Sequence, residues 1–281
     1  MDNNINIIEN TLEICNNGFY YANNNKIKLS LNKEQMQKAV VYSDKDISNI
    51  INDFVPDCIT SKKTDYTVCN CDSFDAAYKI SLSCPDSEIL VLNFANPVNP
   101  GGGVRIGAKS QEEDLCRKST LLLSLESEDA KEYYDFHREQ RSYLSSDYMI
   151  ISPFVEVFRN SDNSLASHPF KVSVLTCAAP IMTESVKAMD IEQYKSILYR
   201  RIKGILCLSA KNGYKNLILG AWGCGVFGND AELVASLFYK AFEELKNKTT
   251  FDNVVMAVLD KSTSLYNYKA FDKYFGSSCK L

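Results

Sequence analysis

Short apolar runs, recurring along the chain and separated by amphipathic stretches, constrain this sequence more than any other feature. Ile89-Leu90-Val91-Leu92-Asn93-Phe94 is continuous enough to be buried on both faces, as a central strand of a covered sheet is. Similar runs lie at 148–152, 172–177, 216–221 and 253–259, and the β-prone Tyr66-Thr67-Val68-Cys69 precedes them. Helical patterns at 73–80, 111–126, 190–211 and 230–247 stand between several of them. After Asp190, the residues Ile191, Tyr194, Ile197, Leu198, Ile202, Ile205 and Leu206 recur at three- and four-residue steps. Asn212-Gly213 then stops the pattern with a pair suited to a left-handed terminus. Strands alternating with such helices predict an α/β fold, a three-layer α/β/α sandwich on a mixed central sheet. The antiparallel edge is expected because 153–170 reads as an irregular excursion rather than a crossover helix.

At 281 residues the chain allows two small domains or one large unit. Without an internal repeat or a long Pro/Gly/Ser linker, one globular unit is expected. The first 30 residues, with Asn23, Asn24 and Asn25, read as an irregular arm. From Asn32 to Asp53 the pattern is helical, with Met36, Ala39, Val40, Ile47, Ile50 and Ile51 on one face and a break near Ser43.

Lysine and arginine total 31 against 35 aspartates and glutamates, a net charge of −4. A general basic surface is thereby excluded, and direct DNA binding is not expected. The two histidines, His137 and His168, leave little for a metal triad, so no metal is expected. Ten cysteines stand at 15, 58, 69, 71, 84, 116, 177, 207, 224 and 279, with no Cys-x-x-Cys, and the nearest pair, Cys69 and Cys71, is off zinc-site spacing. Several lie in apolar runs, where a thiol behaves as a small hydrophobe. Reduced, buried thiols and a cytoplasmic setting are the expectation. Ile5, Ile7 and Ile8 are interrupted by Asn6 and Glu9 with no basic flank, so no signal peptide is read, and no apolar run approaches the roughly 18 residues that span a bilayer.

Two loops carry the candidate chemistry. The buried run ending at Phe94 passes directly into Asn96, Pro97, Pro100 and the triplet Gly101-Gly102-Gly103. Loops at the carboxyl ends of strands are where α/β sheets bind ligands, and glycines admit positive φ and close backbone approach. Asn96 offers a donor and an acceptor suited to ribose hydroxyls. Gln111, Glu112 and Glu113 follow at a helix start. Ser110 to Glu113 also fits a capping box, in which Glu113 would reach back to the Ser110 amide. Adjacent residues on a helix diverge by about 100°, so Glu112 and Glu113 cannot act as an opposed glycosidase pair; one carboxylate would do the proton transfer. The second loop holds Gly220, Gly223, Gly225 and Gly228 after the run at 216–221, with a helix starting near Asn229 or Asp230. Its amides and that helix N-terminus suit a diphosphate. Phe227 could stack on a base or ribose, or be core; Cys224 has no histidine tied to it that would make it a nucleophile. Together the loops describe a nucleotide-diphosphate site with a carboxylate near the sugar.

Gly101-Gly102-Gly103, seven residues, then Gln111-Glu112-Glu113 resembles the signature of the bacterial-type poly(ADP-ribose) glycohydrolases, which are built on the macrodomain fold. Phe94–Gly103, Glu112–Ser119 and Gly220–Asn229 look like the same family's text. The resemblance covers roughly 65–260. It implies a macrodomain-like catalytic domain over 61–281 and an N-terminal helical extension over 1–60 packed on it. It further implies a glycosidase that cleaves the ribose–ribose bond of poly(ADP-ribose) and releases ADP-ribose. Glu113 would be the acid/base that protonates the departing ribose oxygen of the 1″→2′ linkage and then activates water. Glu112 would orient the ribose, Asn96 would hold the distal ribose, and Gly101–Gly103 with Gln111 would pass close to it. Gly223, Cys224, Gly225, Val226, Phe227 and Asn229 would cradle the diphosphate, with Phe227 against the sugar. No cofactor, metal or membrane is implied, and a monomer is expected. The alternatives are a mono-ADP-ribosylhydrolase and a non-catalytic ADP-ribose-binding macrodomain; the paired glutamates speak against the latter.

Overall fold

The computed structural model describes residues 3–54, 63–85, 87–246 and 248–276. Seven strands form the central sheet: β3 (Val40–Tyr42), β4 (Asp65–Cys69), β5 (Ile89–Phe94), β6 (Met149–Arg159), β7 (Leu165–Cys177), β8 (Asn216–Leu219) and β9 (Asn253–Ala257), in the order β3-β6-β7-β5-β8-β9-β4. β7, β5, β8, β9 and β4 are mutually parallel, whereas β3-β6 and β6-β7 pair antiparallel. The sheet is therefore mixed, and β5 lies near its centre with five successive buried residues. A small hairpin of β1 (Phe19–Ala22) and β2 (Asn25–Lys28) stands apart from it.

Helices cover both faces. Toward one, α3 (Asp44–Asn52), α9 (Ile191–Lys211), α10 (Ala231–Leu245) and α11 (Tyr266–Phe275) enclose the larger core around Leu90, Leu92, Leu175 and Leu217. Toward the other, α1 (Asn3–Asn17), α4 (Ser73–Ser83), α5 (Gln111–Lys118), α6 (Leu121–Leu125) and α7 (Lys131–Gln140) pack on Val91, Val174, Ile218 and Val255. Alternate β5 residues thus feed opposite cores, as the strand's period of two requires. The short helices α2 (Lys33–Met36) and α8 (Glu184–Lys187) complete the set. The expected three-layer sandwich is the fold observed. Among the described residues no helix is long and apolar enough to cross a membrane, and no group of three or more His, Cys, Asp or Glu could hold a metal.

Three expectations are corrected. Residues 3–30 are regular: Ile8, Thr11 and Cys15 form a helical stripe that buries α1, and Asn23 and Asn24 both take positive φ (49° and 63°) in a two-residue hairpin turn. The Asn32–Asp53 stretch does break at Ser43, which caps α3 with a full capping box, but Val40–Tyr42 before it is an edge strand rather than helix. Its β-branched pair joins β6 instead of extending α2. Finally, 153–170 is mostly the body of a long β6-β7 hairpin. Pro153 is accommodated by a register shift between Ser152 and Val155, where its missing N–H costs no ladder bond. The expected division at residue 60 falls within 55–62, outside the described residues, as do Cys58 and Cys279. The other eight cysteines are free.

Candidate active site

β5 and β8 run parallel as neighbours, so the loops leaving their carboxyl ends lie side by side. The first loop folds back through a 3-10 turn at Val104–Ile106 into α5, the helix that carries Gln111, Glu112 and Glu113. Each of these three side chains has a different task.

Gln111 fastens the helix start to the sheet. Its Oε1 accepts from the Phe94 amide (2.9 Å), while Nε2 donates to the Leu92 carbonyl (2.8 Å) and to Ser73 Oγ (3.1 Å). Both ends of its amide are engaged by protein, so it positions the start of α5. Glu112, 2% exposed, accepts from Asn93 Nδ2 at Oε1 (3.1 Å) and from the Asn96 amide at Oε2 (2.7 Å). Burial pushes its carboxyl up to about 8, against the pull of the Asn96 amide and the Asn93 side chain. Glu113 accepts the Gly103 amide at Oε1 (2.9 Å), and its Oε2, equally buried, has no partner. A buried carboxylate oxygen left open is costly unless something else completes it.

The capping box anticipated at Ser110 is not formed. Ser110 is the N-cap without a side-chain bond, and Glu113 turns to Gly103 instead. The helix start thus gives up a local cap, and its acids are taken by the loop.

The glycine triplet is required by packing as much as by dihedral. Gly101 and Gly102 take φ of +68° and +59°. A Cβ on Gly102 would meet Glu113 Oε1 at 2.4 Å and Glu112 Oε2 at 3.1 Å, so both carboxylates close on this one Cα. A Cβ on Gly101 would meet Leu122 Cδ1 at 2.6 Å, and one on Gly103 would meet Ala108 Cβ at 2.8 Å. The Gly102 amide donates to Asn99 (2.9 Å) and the Gly103 amide to Glu113, so these amides build the loop. Asn96 Oδ1 shapes the same loop by accepting from the Val98 and Asn99 amides (2.9 Å each); its Nδ2 donates to no described residue.

The second loop is pinned by Asn229, which is 4% exposed. Its Nδ2 donates to the carbonyls of Pro180 (2.8 Å) and Gly223 (2.9 Å), and its Oδ1 accepts from the Tyr194 hydroxyl. Trp222 anchors the loop's start by donating to the Cys177 carbonyl (2.9 Å). Four amides, those of Gly223, Gly225, Val226 and Phe227, donate to no described residue, and Val226 is 84% exposed. They are open donors on one glycine-rich loop, the kind of group an oxyanion site draws on. The adjacent N-terminus of α10 is not part of it, contrary to expectation. Asp230 caps that helix through the Leu233 amide (2.7 Å) and also accepts from Tyr266 OH (2.7 Å), placing a carboxylate where an anion would sit. Phe227 is half-buried against the larger core. Cys224 rests against the Trp222 carbonyl (3.5 Å), and burial pushes its thiol up, which does not suit a nucleophile.

Several supporting residues have no signal in motif spacing. Asn93, fully buried on β5, bonds Glu112 and Thr176 Oγ1; a polar residue inside an otherwise apolar run is the one clue the sequence offered. Lys118, 2% exposed, ties the C-terminal end of α5 to Asp72 (3.0 Å) and Asp114 (2.7 Å). Thr11 of α1 donates to the Arg117 carbonyl (2.6 Å), and Arg117 donates to Ala108 (2.6 Å). The N-terminal helix therefore buttresses the helix that carries both glutamates.

Comparison with known proteins agrees with this geometry. The family model of the microbial-type PARG catalytic domain matches residues 8–160. No curated protein matches. The structure of poly(ADP-ribose) glycohydrolase (PARG) from Thermomonospora curvata is 30% identical, covers 97% of this chain and 99% of its own, and aligns with a TM-score of 0.89. A structure of that enzyme bound to the inhibitor ADP-HPD aligns at 0.86. The Deinococcus radiodurans enzyme in complex with ADP-ribose is 31% identical over 88% of this chain and 97% of its own, at 0.79. On the match to the family model and on relatives aligned over nearly its whole length, this chain belongs to the microbial-type poly(ADP-ribose) glycohydrolase family.

Proposed function

We propose that this protein hydrolyses the ribose–ribose glycosidic bond of poly(ADP-ribose) and releases ADP-ribose, with Glu113 as the single acid/base. The observation that carries the reading is the asymmetry of the two glutamates. Glu112 has both oxygens occupied by protein donors, whereas Glu113 keeps one buried oxygen open beside the glycine triplet. The related enzymes from T. curvata and D. radiodurans, solved with ADP-HPD and with ADP-ribose, supply the ligand class.

In the first step Glu113, in its acid form, gives its proton to the bridging oxygen as the bond from that oxygen to the anomeric carbon breaks. The departing ribose leaves as an alcohol. The carboxylate so formed takes a proton from water as the water oxygen bonds to the anomeric carbon, which restores the acid. Glu112, raised to about 8 by burial, is mostly neutral at pH 7. Neutral Glu112 then adds no negative charge beside the acid form of Glu113, and its O–H can donate to a sugar oxygen. Asn96 Nδ2 holds the distal ribose, and the open amides of 223–227 take the diphosphate, with Phe227 against the sugar.

The test is Glu113→Gln with poly- and mono-ADP-ribosylated substrates run in parallel. Release of ADP-ribose from chains is expected to fall by about 10³-fold, while ADP-ribose still binds and raises the Tm. Turnover that survives the change overturns the mechanism. Clearance of the mono-modified substrate alone would assign the other hydrolase reading, and binding of ADP-ribose without turnover by the unaltered chain would assign a reader.

A further inference from the structure

At the carboxyl end of β4, Cys69 and Cys71 bring two thiols into contact. Their sulfurs are in direct contact and share a proton that either one can donate. Both residues are partly exposed, unlike Cys116, Cys177 and Cys207, which are sealed in the core. The contact with Cys71 lowers the Cys69 thiol against the opposing effect of burial, with the Lys79 charge adding to it, while Cys71 is pushed up by the same contact and by burial. One sulfur is thus favoured as thiolate and the other as thiol, the division of labour in an attacking and resolving pair.

The turn that carries the pair is wired to the catalytic helix. Asn70, between the two, exchanges two hydrogen bonds with the Asp260 backbone (3.0 and 2.9 Å). Directly after Cys71, Asp72 pairs with Lys118 at one end of α5, and Ser73 accepts from Gln111 at the other. We propose that Cys69 and Cys71 are a peroxide-reactive dithiol that closes to an intramolecular disulfide and thereby slows turnover by shifting the Asp72 and Ser73 supports of α5.

The chemistry balances with hydroperoxide as the oxidant. The Cys69 thiolate attacks one peroxide oxygen, the O–O bond breaks, and the sulfur becomes a sulfenic acid as hydroxide leaves and takes up the proton Cys69 had released, giving water. Cys71 then attacks that sulfur and displaces a second water, so two thiols and one hydrogen peroxide give one disulfide and two waters. A dithiol reductant reverses the closure by exchange. The ring formed spans only Asn70, so it fixes the backbone that delivers Asp72 and Ser73. A misplacement of about 1 Å at a catalytic group can cost about 10²-fold, and a smaller shift several-fold.

The full chain is treated with stoichiometric hydrogen peroxide, alkylated and mapped by peptide mass. The expected product is a peptide holding both residues that is two hydrogens lighter and unalkylated. Poly(ADP-ribose) turnover falls by about threefold or more in kcat with little change in KM, and dithiothreitol restores it. Cys71→Ser keeps basal turnover, yields a dimedone-trapped sulfenic acid at Cys69 and forms no disulfide. Full alkylation of both residues after peroxide overturns the proposal, and a disulfide that leaves kcat unchanged overturns its link to α5. The mass result stands even if the chain hydrolyses no poly(ADP-ribose), so it is separable from the functional reading above.

Discussion

At the residue scale, Gly102 shows why a glycine signature accompanies these acids. Its positive φ disfavours an L side chain, and its Cα hydrogen stands where both carboxylates close in. Gly102→Ala is expected to drive Glu113 off the Gly103 amide. The melting transition should fall modestly, while kcat falls by about 10²-fold and ADP-ribose binding weakens less; turnover measured beside a thermal melt checks this. Gly225 has open space around its Cα and no positive φ, so an alanine there should leave the melt unchanged. The sequence announced the triplet and the acids by spacing alone. It did not announce which acid keeps a free oxygen, because that depends on Asn93, Asn96 and Gly103 arriving from strand and loop.

At the scale of elements, the legible parts were those whose patterns are local. The apolar runs became strands, and the Asp190 helix begins with its cap on Gln193 and ends before Gly213, where φ is +80°. The hairpin of β6 and β7 was not legible because Pro153 and Pro169 interrupt strand patterning, and only the bulge that admits Pro153 resolves it. The anion site was half legible: glycines marked the loop, but the carboxylate of Asp230 closes the helix end that was expected to share in it. Asn229 then shares the loop's preorganisation with the Trp222 anchor. Asn229→Leu strips donors from the Pro180 and Gly223 carbonyls and strands the Tyr194 hydroxyl. Each buried polar group left unpaired costs about 1–3 kcal/mol, so the loop should loosen. ADP-ribose affinity by calorimetry is expected to fall by about tenfold or more. Unchanged affinity would show that the four open amides do not depend on this pin.

At the scale of the whole molecule, two buried groups set opposing slopes of stability with pH. His137, 4% exposed, has its ring fixed between the Tyr133 carbonyl (2.7 Å) and Ser146 Oγ (2.9 Å), and burial lowers it from 6.5 to about 4. Between those values the unfolded chain binds the proton that the folded one refuses. Stability from this site is present above pH 6.5 and lost as pH falls through 4, amounting to about 3 kcal/mol. Glu112 works the other way. Its folded value of about 8 lies above 4.5, so the folded chain holds the extra proton, and stability is present below pH 4.5 and lost as pH rises through 8. From pH 4.5 to 6.5 the two slopes cancel, and above 6.5 only the Glu112 loss remains. Denaturant unfolding across pH separates them. His137→Gln should be most destabilised relative to the parent above pH 6.5, with the gap closing toward pH 4. Glu112→Gln should gain on the parent steadily from pH 4.5 to 8 and then run parallel to it. A Glu112→Gln curve parallel to the parent throughout would mean that Glu112 is ionised in the folded protein, and the neutral Glu112 described beside Glu113 would be wrong.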